Sequence, residues 1–535
     1  MTFASLPFEL VVRICRLNAH RWQTYPQDVQ APLQDTMAAS QVCSHWRSII
    51  LSAPELWRFA IDPYHPCASW RDLLLKRSEP LSIEFIDVAY APRIMQPVHD
   101  IQLQMQSGMH QRLRRYDIWL EYETETTPIH SPLWPSEPGS WSQLRRLGLF
   151  FDNYSSNPHE KLPVHFPGLA TPVLEHLTLT CYYIPDWNEL RTLGNTLTHL
   201  KIYHPPSRLC ADRWIELIRN LPNLEKIELS FALEAFCNHP HSKERFTLGV
   251  KKFSFSDLFH CCPSFLDRID LSSTKCRSSS ITCLSNPQFD LEIPAEDAVQ
   301  AVLPHIKRLL SQIVVNNSRL RISDSFIVVQ SGFLGPAVLS NNLGQTVITK
   351  HSNHFFVCFD RHRRFSTFGG PLLFPALLDI VRPMCASVEL AEASSYARLE
   401  SHEWEQFFDV LVHCQHLRFM QGVGLSWWNW LYKLLMPAAS EVTNDATEPL
   451  FPHLRSIGFE EKIQIKERLV KPTNTYTRVD EIPFDELKAF CRHRAKIRVP
   501  LEWISTHRDG IFEMDSFGEI KPEPEPRNTT RRAGS

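Results

Sequence analysis

Two rhythms of apolar residues divide this chain. Near its start, Leu10, Ile14 and Leu17 recur at helical spacing with Val11 and Cys15 beside them. A second apolar stripe runs through Ala38, Val42, Trp46, Ile49 and Ile50. Such spacing predicts two short amphipathic helices. Pro7 suits a first helical turn, where its missing N–H costs nothing, and Glu9 follows where a carboxylate favours the positive end of the helix dipole. Pro54 is expected to end the second helix. From about residue 110 the rhythm changes to leucine, two residues, an apolar residue, one residue, an apolar residue. It occurs at Leu113/Tyr116/Ile118, Leu144/Leu147/Leu149, Leu174/Leu177/Leu179, Leu197/Leu200/Ile202, Leu224/Ile227/Leu229, Leu266/Ile269/Leu271 and Leu454/Ile457/Phe459. Alternation of this kind predicts a short strand whose successive side chains face opposite ways, so Leu200 points inward while His199 and Lys201 point out.

These triplets resemble the core of the leucine-rich repeat, in which each strand fills a solenoid with its inward side chains. Phase strengthens the likeness. Trp187-Asn188-Glu189-Leu190 precedes Leu197 by ten residues, Trp214-Ile215-Glu216-Leu217 precedes Leu224 by ten, and the two units are therefore 27 residues apart. Each unit is expected to be an amphipathic helix, a turn such as Leu221-Pro222-Asn223, then a strand; Trp404-Glu405-Gln406-Phe407 leading to Leu417 repeats the idea loosely. Triplets starting at 113, 144, 174, 197, 224 and 266 are 31, 30, 23, 27 and 42 apart, an unevenness that solenoids absorb as loops on one face. A plain α/β domain with similar helices and strands is the alternative. Matching triplets from Leu310 and Leu431 lie in runs that read as helix. Between 290 and 385 the rhythm is irregular, with a helix expected over Ala295 to Val315 and strands at Leu320–Ile322, Ser325–Val329 and His354–Phe359. Pro437 to Pro449 reads as an insertion loop, Phe484 to His493 as a closing helix and Leu501–Ile504 as a last strand.

The first sixty residues carry three blocks: Leu6-Pro7-Phe8-Glu9-Leu10, Val42-Cys43-Ser44-His45-Trp46-Arg47 and Leu56-Trp57. Together they resemble the F-box, the helical module that joins substrate receptors to cullin-type ubiquitin ligases. The resemblance implies that Leu6, Pro7, Glu9, Ile14, Val42, Cys43, Trp46, Arg47, Leu56 and Trp57 fall at positions that face a Skp-type adaptor or form the module's core. Asn18 to Pro32 is longer than the usual link between blocks and is read as a surface loop.

Composition narrows the function classes. Fifty-six Lys and Arg against 59 Asp and Glu give a net charge of −3, which argues against a dedicated nucleic-acid binder with a clustered basic face. Arg112, Arg114 and Arg115, and Arg361, Arg363 and Arg364, are small solvated knots. Glu9 and Arg13 interrupt the one early apolar run, so no signal peptide is expected, and no stretch of about 20 apolar residues is present to span a bilayer. The 14 scattered cysteines read as reduced thiols of an intracellular protein of the cytoplasm or nucleus. Among enzyme motifs, no phosphate-cradling glycine loop or H-E-x-x-H occurs, and Gly424-Leu425-Ser426 fails as a nucleophile elbow at Trp428. His260-Cys261-Cys262 with Cys276 and Cys283 is the best metal candidate, yet its spacing fits a zinc tetrahedron poorly and reads as a partly buried thiol cluster.

The expectation is an α/β protein: a helical F-box module at 1–60, a linker or first irregular repeat at 61–110, a leucine-rich-repeat-like solenoid at 111–511, and a disordered tail at 512–535. Its implied role is non-catalytic, without cofactor or metal: a receptor that binds a Skp-type adaptor and, through it, a cullin-RING scaffold, and that recruits a protein target. An F-box scaffold acting outside ubiquitination and a cryptic hydrolase stay open as alternatives.

Overall fold

The computed structural model describes residues 6–24, 31–58, 61, 67–86, 109–121, 141–152, 173–180, 187–205, 208–234, 244–272, 276–284, 295–312, 318–322, 326–331, 354–360, 378–379, 382, 388–393, 406, 409, 411, 413–419, 452–459, 464–466, 481–496, 501, 503–506 and 510–513. The chain divides into two compact units, Met1–Ser242 and Lys243–Ser535.

The first unit opens with helices α1 (Phe8–Thr24), α2 (Ala31–Ser40), α3 (Ser44–Ser52), α4 (Pro54–Trp57) and α5 (Ala68–Arg77). The carbonyl of Pro7 accepts from the N–H groups of Leu10 and Val11, so the proline starts α1 from just outside it. The segment expected to loop from Asn18 is helical as far as Thr24 and again from Ala31. Between α2 and α3 the backbone breaks, because Cys43 adopts an extended conformation and caps α3 with its sulfur, 3.4 Å from the Trp46 N–H. Pro54 begins α4 at its first turn, where the ring is tolerated. One core unites the helices: Val11, Val12 and Cys15 of α1 meet Trp46, Ile49 and Ile50 of α3, Leu56 and Trp57 of α4, and Leu74 of α5. Trp57 donates its indole N–H to the Ile50 carbonyl at 2.8 Å, and the Arg77 guanidinium lies 4.6 Å over its ring.

Arg112 ties the end of α5 to the strands that follow. Its guanidinium donates to the carbonyls of Leu75 (3.0 Å) and Leu81 (2.8 Å) and to the Ser78 hydroxyl (2.9 Å). Six strands then lie side by side in chain order: β1 (Ile83–Ile86), β2 (Leu113–Glu121), β3 (Arg146–Asp152), β4 (His176–Thr180), β5 (His199–Tyr203) and β6 (Lys226–Ser230). Every neighbouring pair is parallel. This is a parallel β-solenoid stretch, and β1 extends it into the segment before residue 111. The triplets are in register: Leu147, Leu177, Leu200 and Ile227 form one buried row, and Leu149, Leu179, Ile202 and Leu229 the next. The leading leucines, Leu144, Leu174, Leu197 and Leu224, are buried just ahead of each strand.

Repeat phase is enforced by backbone bonds at each strand start. The Glu175 carbonyl accepts from both Thr198 and His199, and the Thr198 carbonyl from both Glu225 and Lys226. At the far ends, His204 and Phe231 both take left-handed φ values, 49° and 51°, and their rings stack at 4.2 Å. A non-glycine residue there costs on the order of 1 kcal/mol, so the same strained position recurs 27 residues later, at the interval predicted from the tryptophans. Trp214 lies fully buried on α6 (Ala211–Arg219) and donates to the Ala232 carbonyl at 3.0 Å. The segment holding Trp187 is a 3-10 turn, Trp187–Leu193, in place of the expected α-helix.

The second unit contains β7 (Phe246–Thr247), β8 (Lys252–Leu258), α7 (Cys262–Leu266), β9 (Ile269–Asp270), β10 (Ser278–Leu284), α8 (Ala295–Ser311), β11 (Ser318–Ile322), β12 (Phe326–Ser331), β13 (His354–Asp360), β14 (Val388–Ala393), β15 (His416–Phe419), β16 (Ser456–Phe459), β17 (Gln464–Lys466), β18 (Glu481–Pro483), α9 (Phe484–Lys496), β19 (Trp503–Thr506) and β20 (Gly510–Glu513). Its main strands lie in the order β8-β10-β13-β12-β11-β14-β15-β16-β19-β20. The Leu266/Ile269/Leu271 triplet does not supply a main strand: β9 pairs only with β7, in a separate two-stranded sheet. The main strand of that repeat is β8, which buries Phe253 and Phe255. The irregular stretch has a simple cause. β12 runs antiparallel to both β13 and β11, so a reversed strand interrupts an otherwise parallel order. Regular pairing resumes from β14 to β19, and β20 folds back antiparallel. Residues 512 and 513 therefore belong to a strand, contrary to the tail boundary at 512, and the tail from 514 lies outside the described residues, as does the loop at 437–449. Cations hold helices here: half-buried Arg308 of α8 donates to the carbonyls of Leu266 and Ile269, and buried Arg494 of α9 to that of Leu454.

Candidate protein-interaction surfaces

The N-terminal helices leave several large apolar side chains exposed. Phe8, Leu10, Ile14 and Leu17 of α1, Met37 of α2, Val42 in the α2–α3 break and Leu51 of α3 are all exposed. Among the described residues, every large exposed hydrophobic lies in these first 51 positions. Leu17 is 63% exposed and Val42 57%, values at odds with a hydrophobic side chain placed for its own fold's benefit. Soluble chains rarely leave such residues clustered unless something covers them.

The sequence-derived residues separate into two groups. Trp46, Leu56 and Trp57 are core, and Leu6 and Cys43 pack partly against it. Pro7, Glu9, Ile14, Val42 and Arg47 are exposed, Arg47 donating to the Ser40 carbonyl at 3.2 Å. Val42 and Ala38 therefore leave the buried stripe to which they were assigned, because the break at 41–43 rotates α3 relative to α2. On α1 the stripe at Leu10, Ile14 and Leu17 turns outward, and the one at Val11, Val12 and Cys15 turns in. Sequence reasoning passed over Phe8, Met37 and Leu51 as surface residues. The available signal was an excess of apolar residues, since α1 has more than one face can bury.

A second surface lies on the solvent side of β2–β6. In register across these strands stand Arg115, Arg146, His176, His199 and Lys226, and beside them Asp117, Gly148, Thr178, Lys201 and Glu228. Asp117 is nearly buried and accepts from Arg115 at 2.6 Å, with Arg146 at 3.4 Å. Gly148 makes room for that carboxylate: a Cβ there would fall 2.5 Å from its Oδ1. Glu228 takes Lys201 at 2.7 Å, Lys226 at 2.8 Å and the hydroxyl of Tyr203. Burial works to raise its pKa, but these three hydrogen bonds prevail and hold it at about 2. Tyr203, buried beside that carboxylate, is pushed up.

His176 and His199 sit between the two carboxylates, their rings 4.0 Å apart. Burial, then the partner imidazole and Lys226, lower His199 to about 4, with Glu225 opposing. Burial and then Arg146 lower His176, with Glu175 opposing. Both are bases with folded pKa values below the unfolded one, so the folded state takes up fewer protons than the unfolded state as pH falls. Their contribution to stability is complete above the unfolded value near 6.5 and is lost as pH drops through it toward about 4. Urea midpoints measured from pH 7.5 down to 5 are expected to fall, and the fall should be shallower in His199→Gln. An equal slope in both proteins would show that this pair does not titrate with folding.

The cysteine cluster is a core feature. Cys261, Cys262 and Cys283 are buried, and burial pushes the Cys262 thiol up, as it does Cys276, to about 11. Among the described residues no group of three His, Cys, Asp or Glu side chains is placed to hold a metal ion, and no helix is long and apolar enough to cross a membrane. No protein-family model matches the chain, and no curated protein matches it.

Proposed function

We propose that this chain is the substrate-recruiting F-box subunit of an SCF-type ubiquitin ligase, docking a Skp-type adaptor on its N-terminal helices and a protein client on its leucine-rich-repeat-like strands. One observation carries the reading: the exposed apolar residues gather on the same short helices whose three sequence blocks resemble the F-box. Leu10, Ile14, Leu17 and Val42 would supply the apolar contact, while Trp46, Leu56 and Trp57 hold the helices that present them. No catalytic group is required of the chain. Its contribution is effective concentration, because a client held near a charged ubiquitin-conjugating enzyme reacts as though tethered to it. Productive tethering needs a defined geometry, and the Arg112 bonds from α5 to the strands favour one.

Affinity purification of the full chain, with and without proteasome inhibition, tests this. Adaptor and cullin should co-purify in both, and a client should accumulate when the proteasome is blocked. Adaptor without cullin would favour the scaffold alternative, and capture of neither would remove the reading.

A further inference from the structure

We propose that the solvent side of β2–β6 binds an extended acidic segment of the client, recognising two carboxylates about four residues apart. The inference rests on the reading that these strands receive the client, and it deepens that reading by naming the client's chemistry.

The surface carries its charge at two separate points. Around Asp117 stand Arg115 and Arg146, and around Glu228 stand Lys201 and Lys226. Within ion-pair distance, two cations stand against one carboxylate at each point. The carboxylates are well covered, whereas Arg146, Lys201 and Lys226 retain 42%, 30% and 22% of their side-chain exposure, so the positive groups are the ones a ligand meets. Of the other nearby acids, Glu84 faces Arg58 at 3.8 Å, Glu175 faces Arg145 at 2.6 Å, and Glu225 acts on His199 from the residue before Lys226. Between the two points lie the uncharged His176–His199 pair and Thr178.

Spacing selects the ligand. Arg146 on β3 and Lys226 on β6 are three strand intervals apart, about 14 Å at about 4.8 Å per interval. An extended peptide rises about 3.3 Å per residue, so about four residues cover the distance. An even separation also places both carboxylates on the same side of the peptide. The hydroxyl and imidazole groups between can meet its backbone. A nucleic acid fits less well, since a backbone with a phosphate at every nucleotide calls for a continuous basic stripe, and this one is interrupted by neutral rings.

The test uses the purified full chain and two labelled Ser/Thr peptides of equal composition. One has two glutamates four positions apart, the other has them adjacent. The variants Arg146→Gln and Lys226→Gln each leave one cation on the carboxylate, so both points stay paired and the fold is retained. The spaced peptide is expected to bind saturably and more tightly than the adjacent one, and each variant to weaken it roughly fivefold. Melting temperature and adaptor capture should be unchanged in both variants. Equal binding of the two peptides, insensitivity to both variants, or binding of a single-stranded oligonucleotide alone would overturn the inference. Failure of the peptide with adaptor capture intact removes this client chemistry and leaves the ligase reading. Peptide binding with no adaptor capture supports the surface and removes the ligase reading.

Discussion

Leu200→Asp is expected to destabilise the first unit by several kcal/mol. Leu200 is fully buried on β5, in register between the apolar Leu177 and Ile227, so a carboxylate placed there is taken from water into an apolar row. The group would fold neutral or not at all, at a cost that takes most of a typical domain's stability. Because each repeat touches mainly its neighbours, hydrogen-exchange protection should fall most in β4, β5 and β6 and recover with distance along the strands. Uniform loss over the whole unit would instead indicate one undivided core, and no loss would place Leu200 outside it. The flanking positions are less permissive than simple alternation implies. His199 stacks on His176, and Lys201 holds Glu228, so a negative charge at Lys201 would face a well-covered carboxylate.

The legible part of this fold was the part written in leucine. Leu177, Leu200 and Ile227 announce their strands because a period of two, repeated at intervals of 23 and 27 residues, has few other physical readings. β8 and β10 escaped for want of that signature. They bury Phe253 and Phe255, and Ile281 and Cys283, with Ser254 and Thr282 between, while Leu266/Ile269/Leu271 matched the pattern and formed only a short side pairing. The reversed strand β12 was equally hidden, since side-chain alternation is the same for a strand running either way. At the interaction face, sequence identified the helices but not their orientation. α1 has two apolar stripes, and spacing alone cannot say whether Leu10, Ile14 and Leu17 or Val11, Val12 and Cys15 meet the core. Residues 41–43 decided the fate of Val42, through a break that no periodicity marks.

Trp57→Ala should remove about 3–5 kcal/mol from the helical module. Its ring is 1% exposed, its N–H is bonded to the Ile50 carbonyl, and Arg77 covers one face. A core drawn from four helices has little reserve, so α1, α3 and α4 should lose protection while the melting of the strands beyond changes less. Val42→Ala offers the contrast. At an exposed site outside that core it should shift stability by no more than about 0.5 kcal/mol. Denaturant unfolding followed by tryptophan fluorescence measures both. Comparable losses would return Val42 to the interior.

That contrast makes a direct test possible, because the proposed docking face can be altered without unfolding what lies beneath it. The decisive measurement is titration of a purified Skp-type adaptor into the full chain and into a Leu17→Asp, Val42→Asp double variant, with circular dichroism confirming that both are folded. The account predicts saturable one-to-one binding to the native chain and loss of that binding in the folded variant. Adaptor binding of equal strength to both, or to neither, would contradict it.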